Sequence, residues 1–239
     1  SVDSTYGVNG SLSGGFSNGF VIAFQKDGKV ISGGGEYDYT SPSYKFSRYK
    51  ADGFLDSAFG INGSVSSTFI SNDNATSMVI QEDGKIVAGG TTQYNGSGGA
   101  AFAFARYNID GTPDKTFGEN GKVIAFKNDQ PLGDLHCYCN AIALQNDGKI
   151  VATGYIYGRG NPYDTLVLSH FFTTRFNTNG TIDSTFGTDG VVITKINDGW
   201  DGAFDLAIQP DGKIVVVGNS QLTIDIVRYN VNGTLDSSF

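Results

Sequence analysis

Residues 145–154 read QNDGKIVATG, and the same pattern stands at three other places: QKDGKVISGG over 25–34, QEDGKIVAGG over 81–90 and QPDGKIVVVG over 209–218. Each is a Gln, an Asp-Gly hairpin signal, a Lys and a short β-branched or apolar run closed by Gly. Asp27, Asp83, Asp147 and Asp211 are 56, 64 and 64 residues apart. A period of this size marks a repeat architecture, whose units bury their apolar faces only against one another.

Working outward from this stretch, each repeat continues in the same order. Arg48, Arg106, Arg175 and Arg228 each precede a Tyr or Phe. Eight residues after each Arg stands an Asp: Asp56, Asp114, Asp183 and Asp236. Three further on is an aromatic: Phe59, Phe117, Phe186 and Phe239. In the first three repeats a Gly and a second Asx-Gly turn follow, at Asn62, Asn120 and Asp189. Between these landmarks lie four short strand-like runs, and no window carries a capped amphipathic helix. Four-stranded units in tandem are propeller blades, whereas β-solenoid repeats are usually about half this length.

The sequence therefore predicts an all-β fold, a β-propeller of four four-stranded blades in one domain over 1–239. The repeats run approximately over 13–65, 66–123, 124–192 and 193–239 plus 1–12. Residues 1–12 (SVDSTYGVNGSL) match residues 54–65 (FLDSAFGINGSV), the end of a repeat. The expectation is that residues 7–16 supply the outermost strand of the last blade and close the ring, removing two exposed edges.

The pattern Q-x-D-G-K-[IV], an apolar run, Gly, R-[YF], Asx-Gly, Asp, aromatic resembles the delta-60 repeat of bacterial surface and secreted proteins. The resemblance covers nearly the whole chain. It implies a β-propeller-like fold and a secreted or cell-surface setting. It implies no activity.

Composition narrows the partners. The chain has 239 residues, 34 of them Gly, and 29 Phe and Tyr, enough apolar surface to exclude disorder. A net charge of −8 argues against nucleic acid or an anionic membrane, which need a cationic patch. No apolar run is long enough to insert in a membrane.

Loop lengths point to a binding face. In an up-and-down blade the Asp-Gly turn and the third-to-fourth connection share one face, and both are nearly constant between repeats. The other two connections vary and share the opposite face, so ligand contacts are expected there, on loops carried by a rigid scaffold. Candidate ligand-binding residues on this variable face are Tyr37, Tyr39, Tyr44, Asp73, Tyr94, Asp129, Tyr157, Arg159, Tyr163, Asp198, Trp200 and Asp201. Aromatic planes beside carboxylates and amides suit sugars, whose C–H faces stack while hydroxyls bond. The repeated Arg and Asp read as structural: Arg48–Asp56, Arg106–Asp114, Arg175–Asp183 and Arg228–Asp236 are expected to pair, or the Asp to cap the following turn.

Catalytic signatures are absent. There is no nucleophile elbow, Walker loop or dinucleotide fingerprint, and only two His. Asp52–Asp56 and Asp110–Asp114 share an Asp-Gly-x-x-Asp spacing, but lack the EF-hand's remaining ligands. No cofactor is expected, calcium being the one alternative. His136, Cys137 and Cys139 offer soft ligands without a second cluster. The expectation is a non-enzymatic extracellular binding or adhesion module whose partner is a glycan or a surface protein. The alternatives are a structural interaction propeller, or a glycan hydrolase or lyase using Asp198, Asp201 or Asp205.

Overall fold

The computed structural model of the chain describes residues 5–7, 11, 18–36, 43–94, 99–126, 135–158, 168–197 and 199–239. They form four antiparallel sheets, each a meander in chain order. Blade 1 is β1 (Asn18–Phe24), β2 (Val30–Glu36), β3 (Ser43–Tyr49) and β4 (Ser64–Ser67). Blade 2 is β5 (Ser71–Ile80), β6 (Ile86–Tyr94), β7 (Gly99–Tyr107) and β8 (Lys122–Ala125). Blade 3 is β9 (Leu135–Leu144), β10 (Ile150–Gly158), β11 (Leu168–Phe176) and β12 (Val191–Thr194). Blade 4 is β13 (Asp201–Ile208), β14 (Ile214–Ser220) and β15 (Thr223–Tyr229). The arrangement is propeller-like, with the first strand of each blade packed on that of the next.

The repeat motif explains the local structure. In each first hairpin the Gly of Asp-Gly takes φ near +80° (Gly28, Gly84, Gly148, Gly212), where an L side chain is strained. The Asp side chain accepts the amide of the Lys two residues on, as in Lys149 to Asp147 at 3.1 Å. These strands are short and carry apolar side chains on both faces, because two faces of a blade are covered by neighbours. The core is accordingly three slabs. One lies between blades 1 and 2 (Tyr44, Phe46, Ile86, Tyr107), one between 2 and 3 (Phe102, Phe104, Phe172, Phe176) and one between 3 and 4 (Phe171, Ile214, Val216, Tyr229).

A second device repeats in blades 2, 3 and 4. The innermost strand carries a β-bulge at Thr76, Asn140 and Phe204, each beside the residue paired with the repeat's Gly within the second strand, Gly90, Gly154 or Gly218. Two bulged residues reach the next blade: the Thr76 hydroxyl donates to Cys139 O at 2.8 Å, and Asn140 Nδ2 to Ala203 O at 2.7 Å. The repeated Gly is thus a contact position. A Cβ on Gly154 would lie 1.8 Å from Tyr138 O.

The last blade differs from expectation. Blade 4 has three strands among the described residues, and most of residues 7–16 lie outside them. Gly7 is described, and its amide donates to Asp52 O on blade 1 at 2.9 Å. No packing comparable to the other three joints links blade 4 to blade 1 among the described residues. The expected closure is therefore not seen there, since Ile224 and Ile226 on β15 stay exposed.

Candidate functional site: an aromatic shelf between blades 3 and 4

The four Arg–Asp pairs form as the repeat spacing predicts, and capping occurs as well as pairing. Arg Nε meets Asp Oδ2 at 2.9, 2.8, 2.7 and 2.7 Å in blades 1 to 4. Oδ1 of the same Asp accepts the amide two residues on, Ala58, Thr116, Thr185 or Ser238. Each guanidinium also lies 4.5–4.8 Å from the centre of the repeat's Phe ring. The Lys of the Asp-Gly-Lys turn approaches the same carboxylate in every blade.

Burial raises the Asp114 carboxyl, but the Thr116 hydroxyl and amide, Lys85 and Arg106 outweigh it and hold it at about 2. Its folded value lies below the ordinary unfolded one of about 3.9. Its stabilisation, about 2 kcal/mol, is therefore full above pH ~4 and lost as pH falls through about 2. Asp114→Asn is expected to flatten that part of the acid-unfolding curve, followed by circular dichroism. A curve of unchanged slope would refute the assignment.

These carboxylates are committed to Arg, Lys and the backbone, which argues against the calcium alternative at Asp52–Asp56 and Asp110–Asp114. No group of three or more His, Cys, Asp or Glu that could hold a metal gathers among the described residues. The soft-ligand reading of His136, Cys137 and Cys139 fails for a local reason. Strand alternation sends both Cys into the core, away from His136, and burial pushes the Cys137 thiol up to about 12.

The candidate ligand residues fall into three groups. Tyr37, Tyr39, Asp129, Arg159, Tyr163 and Asp198 lie outside the described residues. Tyr44, Tyr94, Asp73 and Asp201 are buried, a correction to their expected place on the surface. Tyr44 sits in the first slab and donates to Ala103 O at 3.0 Å. Asp73 accepts the Phe69 amide at 2.6 Å and the Thr92 hydroxyl at 2.6 Å. Asp201 accepts the amides of Ile196 and Asn197 at 2.8 and 3.2 Å. Both carboxylates hold the turn that returns the chain to an innermost strand, so they organise the variable face from within. Tyr157 and Trp200 remain, and Tyr155 links them in one row, 6.3 Å from Tyr157 and 5.5 Å from Trp200.

Register builds the site. Tyr157 pairs with His136 and Tyr155 with Tyr138 across β9 and β10, which places four rings on one sheet face. His136 and Tyr157 stack at 4.6 Å with planes 5° apart. Tyr138 stacks on Tyr155 at 5.0 Å and 11°, and lies 5.8 Å from Tyr157 at 10°. Trp200 extends the row from blade 4, 5.5 Å from Tyr155, and Phe204 follows at 6.1 Å. Trp200 is 39% exposed. Its indole lies over Gly202, where a Cβ would come within 2.8 Å of the ring. The Trp200 carbonyl accepts the Gln221 amide at 3.1 Å, and the Ser169 hydroxyl fixes the next carbonyl, Asp201 O, at 2.7 Å. Burial and the neighbouring Tyr157 raise both the Tyr138 and Tyr155 hydroxyls above the usual phenol range, so both are neutral donors. Below the shelf, His170 Nδ1 stands 3.8 Å from Asp201 Oδ2.

His136, Tyr138, Tyr155 and Phe204 were not among the expected ligand residues. The signal was present as aromatic residues at both ends of one hairpin, but reading it requires the bulge at Asn140.

Comparison with known proteins now has a geometry to meet. The family described as "Domain of unknown function (DUF5122) beta-propeller" matches residues 25–59, 81–117, 145–186 and 209–239. The chain belongs to this family of β-propeller repeats. The match supports the repeat class but not the delta-60 name in particular. No curated protein matches the chain.

Among solved structures, the α-L-arabinanase of Cellvibrio cellulosa aligns over 92% of this chain and 76% of its own, at 12% identity and TM-score 0.51. The exo-1,5-α-L-arabinanase from a bovine ruminal metagenomic library aligns over 91% and 76%, at 10% identity and TM-score 0.44. The mannose phosphorylase MPT-4 of Leishmania mexicana aligns over 91% and 69%, at 12% identity and TM-score 0.42. These likenesses concern the fold. The expectation that the protein is not an enzyme does not stand: it rested on missing motifs, and the Cellvibrio cellulosa structure on this architecture is an arabinanase.

Proposed function

We propose that the chain recognises a glycan on the aromatic shelf formed by His136, Tyr138, Tyr155, Tyr157 and Trp200, on the variable face between blades 3 and 4. The supporting observation is the row of near-parallel rings, half-open to solvent and ending in the exposed Trp200. The stacked His and Tyr rings turn their edges and hydroxyls outward, and the exposed Trp200 ring, tilted at the end of the row, offers a face on which a sugar's C–H face stacks. The Tyr hydroxyls and the exposed Gln221 beside Trp200 supply hydrogen bonds for sugar hydroxyls. A secreted or cell-surface location accords with this role.

Trp200 is the only Trp in the chain and sits in the shelf, so its fluorescence reports occupancy directly. Titration with a panel of oligosaccharides, chosen by glycan array, is expected to shift its emission. Tyr138→Ala and Tyr155→Ala are each expected to weaken binding roughly tenfold, the weight of one stacked ring. A protein with no response to any glycan, or with variants of unchanged affinity, would remove this reading. Product analysis after incubation with the bound oligosaccharide decides whether recognition is coupled to cleavage. Cleavage by the carboxylates considered above would need two acids about 5–9 Å apart. Asp201 is buried, and Asp205 is exposed with Oδ1 on the Leu206 amide at 2.8 Å.

A further inference from the structure

We infer that His170 and Asp201 form a proton-operated latch under the aromatic shelf: when the imidazole takes up a proton, it pairs with the buried carboxylate and locks the turn that carries Trp200. The latch concerns the free protein, and only its effect on glycan affinity rests on the reading of the shelf given above. The repeat shows what is unusual at this joint. Asp73 and Asp201 occupy one repeat position, two residues before the Ala paired with the repeat's Gly. In blade 2 both oxygens of the acid are bonded: Oδ2 accepts the Phe69 amide and Oδ1 the Thr92 hydroxyl, both at 2.6 Å. In blade 4 Ser220 stands in place of that Thr, and its hydroxyl donates to Asp225 Oδ2 at 2.5 Å. Asp201 Oδ2 keeps the amides of Ile196 and Asn197, but Oδ1 is buried and has no hydrogen-bond partner among the described residues.

Blade 3 departs from the repeat at the matching place. Counting back from the repeat's Arg, His170 of β11 stands where blade 1 carries Ser43 and blade 2 Ala101. Its Nδ1 is buried, has no hydrogen-bond partner among the described residues and lies 3.8 Å from Asp201 Oδ2. Two orphaned polar groups thus face each other, and the Asp201 side chain is wholly buried. A buried carboxylate is costly unless a cation compensates it. A neutral imidazole leaves that charge uncompensated. A protonated one cancels it, and a separation about 1 Å shorter makes the charge-assisted hydrogen bond.

The pair reaches the shelf through the backbone. Ser169, beside His170, bridges Trp200, beside Asp201, and the Ser169 hydroxyl donates to Asp201 O at 2.7 Å. Drawing His170 and Asp201 together therefore moves the residue that bears the indole. The other titratable and charged groups on the surrounding elements are His136, Cys137 and Tyr138 on β9, Tyr155 and Tyr157 on β10, Lys195 after β12, Asp205 on β13 and Asp225 on β15. Arg106 and Arg175 stand at the far ends of β7 and β11, and β12 and β14 carry none. Burial pushes the Cys137 thiol up to about 12 and keeps the Tyr138 and Tyr155 hydroxyls neutral. Between about pH 5 and 8 imidazole is the side chain that ordinarily changes charge. The chain has two, His136 and His170.

The emission of Trp200, the one Trp of the chain, reads the latch in the free protein. Titrated from about pH 5 to 8, the wild type is expected to show one sigmoidal change in emission. His170→Gln is expected to abolish it, and His136→Gln, which removes the other imidazole, to keep it. Circular dichroism checks that His170→Gln folds, and His170→Ser, the residue that blade 1 carries at this place, replaces it if it does not. An emission that stays flat over this range overturns the inference. So does a transition that survives the loss of His170 or disappears with His136. An oligosaccharide that binds the shelf is expected to bind about fivefold or more tightly at the acid end, the lower bound of ordinary coupling between sites. That difference is expected to vanish in His170→Gln, and equal wild-type affinity at both ends overturns the inference. If no glycan binds at either end, the reading of the shelf falls, and the emission transition alone decides the latch.

Discussion

Arg175→Ala is expected to lower the free energy of unfolding by about 3–5 kcal/mol, the cost of removing one partner of a buried ion pair. The Arg175 and Asp183 side chains are only 6% and 5% exposed, with Nε and Oδ2 at 2.7 Å. The guanidinium also donates to Val231 O at 2.6 Å, tying blade 3 to blade 4, and lies over Phe186 at 4.8 Å. Truncation removes all three contacts and leaves the Asp183 carboxylate with Lys149 as its remaining cation, at 2.9 Å. Lys in place of Arg keeps the charge but cannot fork to carboxylate and carbonyl together, so Arg175→Lys is expected to recover only part of the loss. Removing both partners, as Arg175→Leu/Asp183→Leu, is expected to cost less than removing Arg175 alone, because no charge is then stranded. Urea unfolding of the three variants measures this. A loss below about 1 kcal/mol in Arg175→Ala would place the pair among surface contacts and refute the argument.

Gly154→Ala is the second large effect, about 2–3 kcal/mol from overpacking. The added Cβ falls 1.8 Å from Tyr138 O and 3.1 Å from Cys139 Cα, both on the paired strand. Backbone on both sides must move, since no flexible side chain stands in the way to yield. The struck carbonyl belongs to a shelf residue, so the stacking of Tyr138 on Tyr155 shifts too. Near-ultraviolet circular dichroism is expected to lose aromatic signal along with stability. Gly35→Ala is the control, because its nearest contact is 3.0 Å away on the Asn74 side chain. Equal costs at the two positions would show that lost glycine flexibility, and not the close approach, sets the effect.

The bulge that Gly154 faces also explains why the shelf was hard to read in the sequence. Simple alternation backward from the core residue Ile142 would bury Tyr138 and His136. The extra residue at Asn140 reverses the faces, so Cys139 and Cys137 point into the slab and the two aromatic rings point out. Asp73 and Asp201 misled for a different reason. Asp73 follows an Asn and Asp201 follows Trp200 in variable connections, which makes both look ligand-facing, yet both turn inward to accept backbone amides that would otherwise be orphaned. The Arg–Asp pairs were legible because they recur at one spacing and because an Arg within apolar strands must find an acid.

The sequence by itself determined the repeat, the strand order within each blade, the Asp-Gly turns and the Arg–Asp pairing. These depend on residues at most a few positions apart, or on one spacing kept four times, and local sterics and charge suffice to specify them. The tertiary structure alone decided that Trp200 meets Tyr155 across a joint, that a bulge turns Tyr138 outward, and that Ile224 is bare where Phe171 is buried. Each depends on which blade lies beside which, and only packing one sheet on another fixes that.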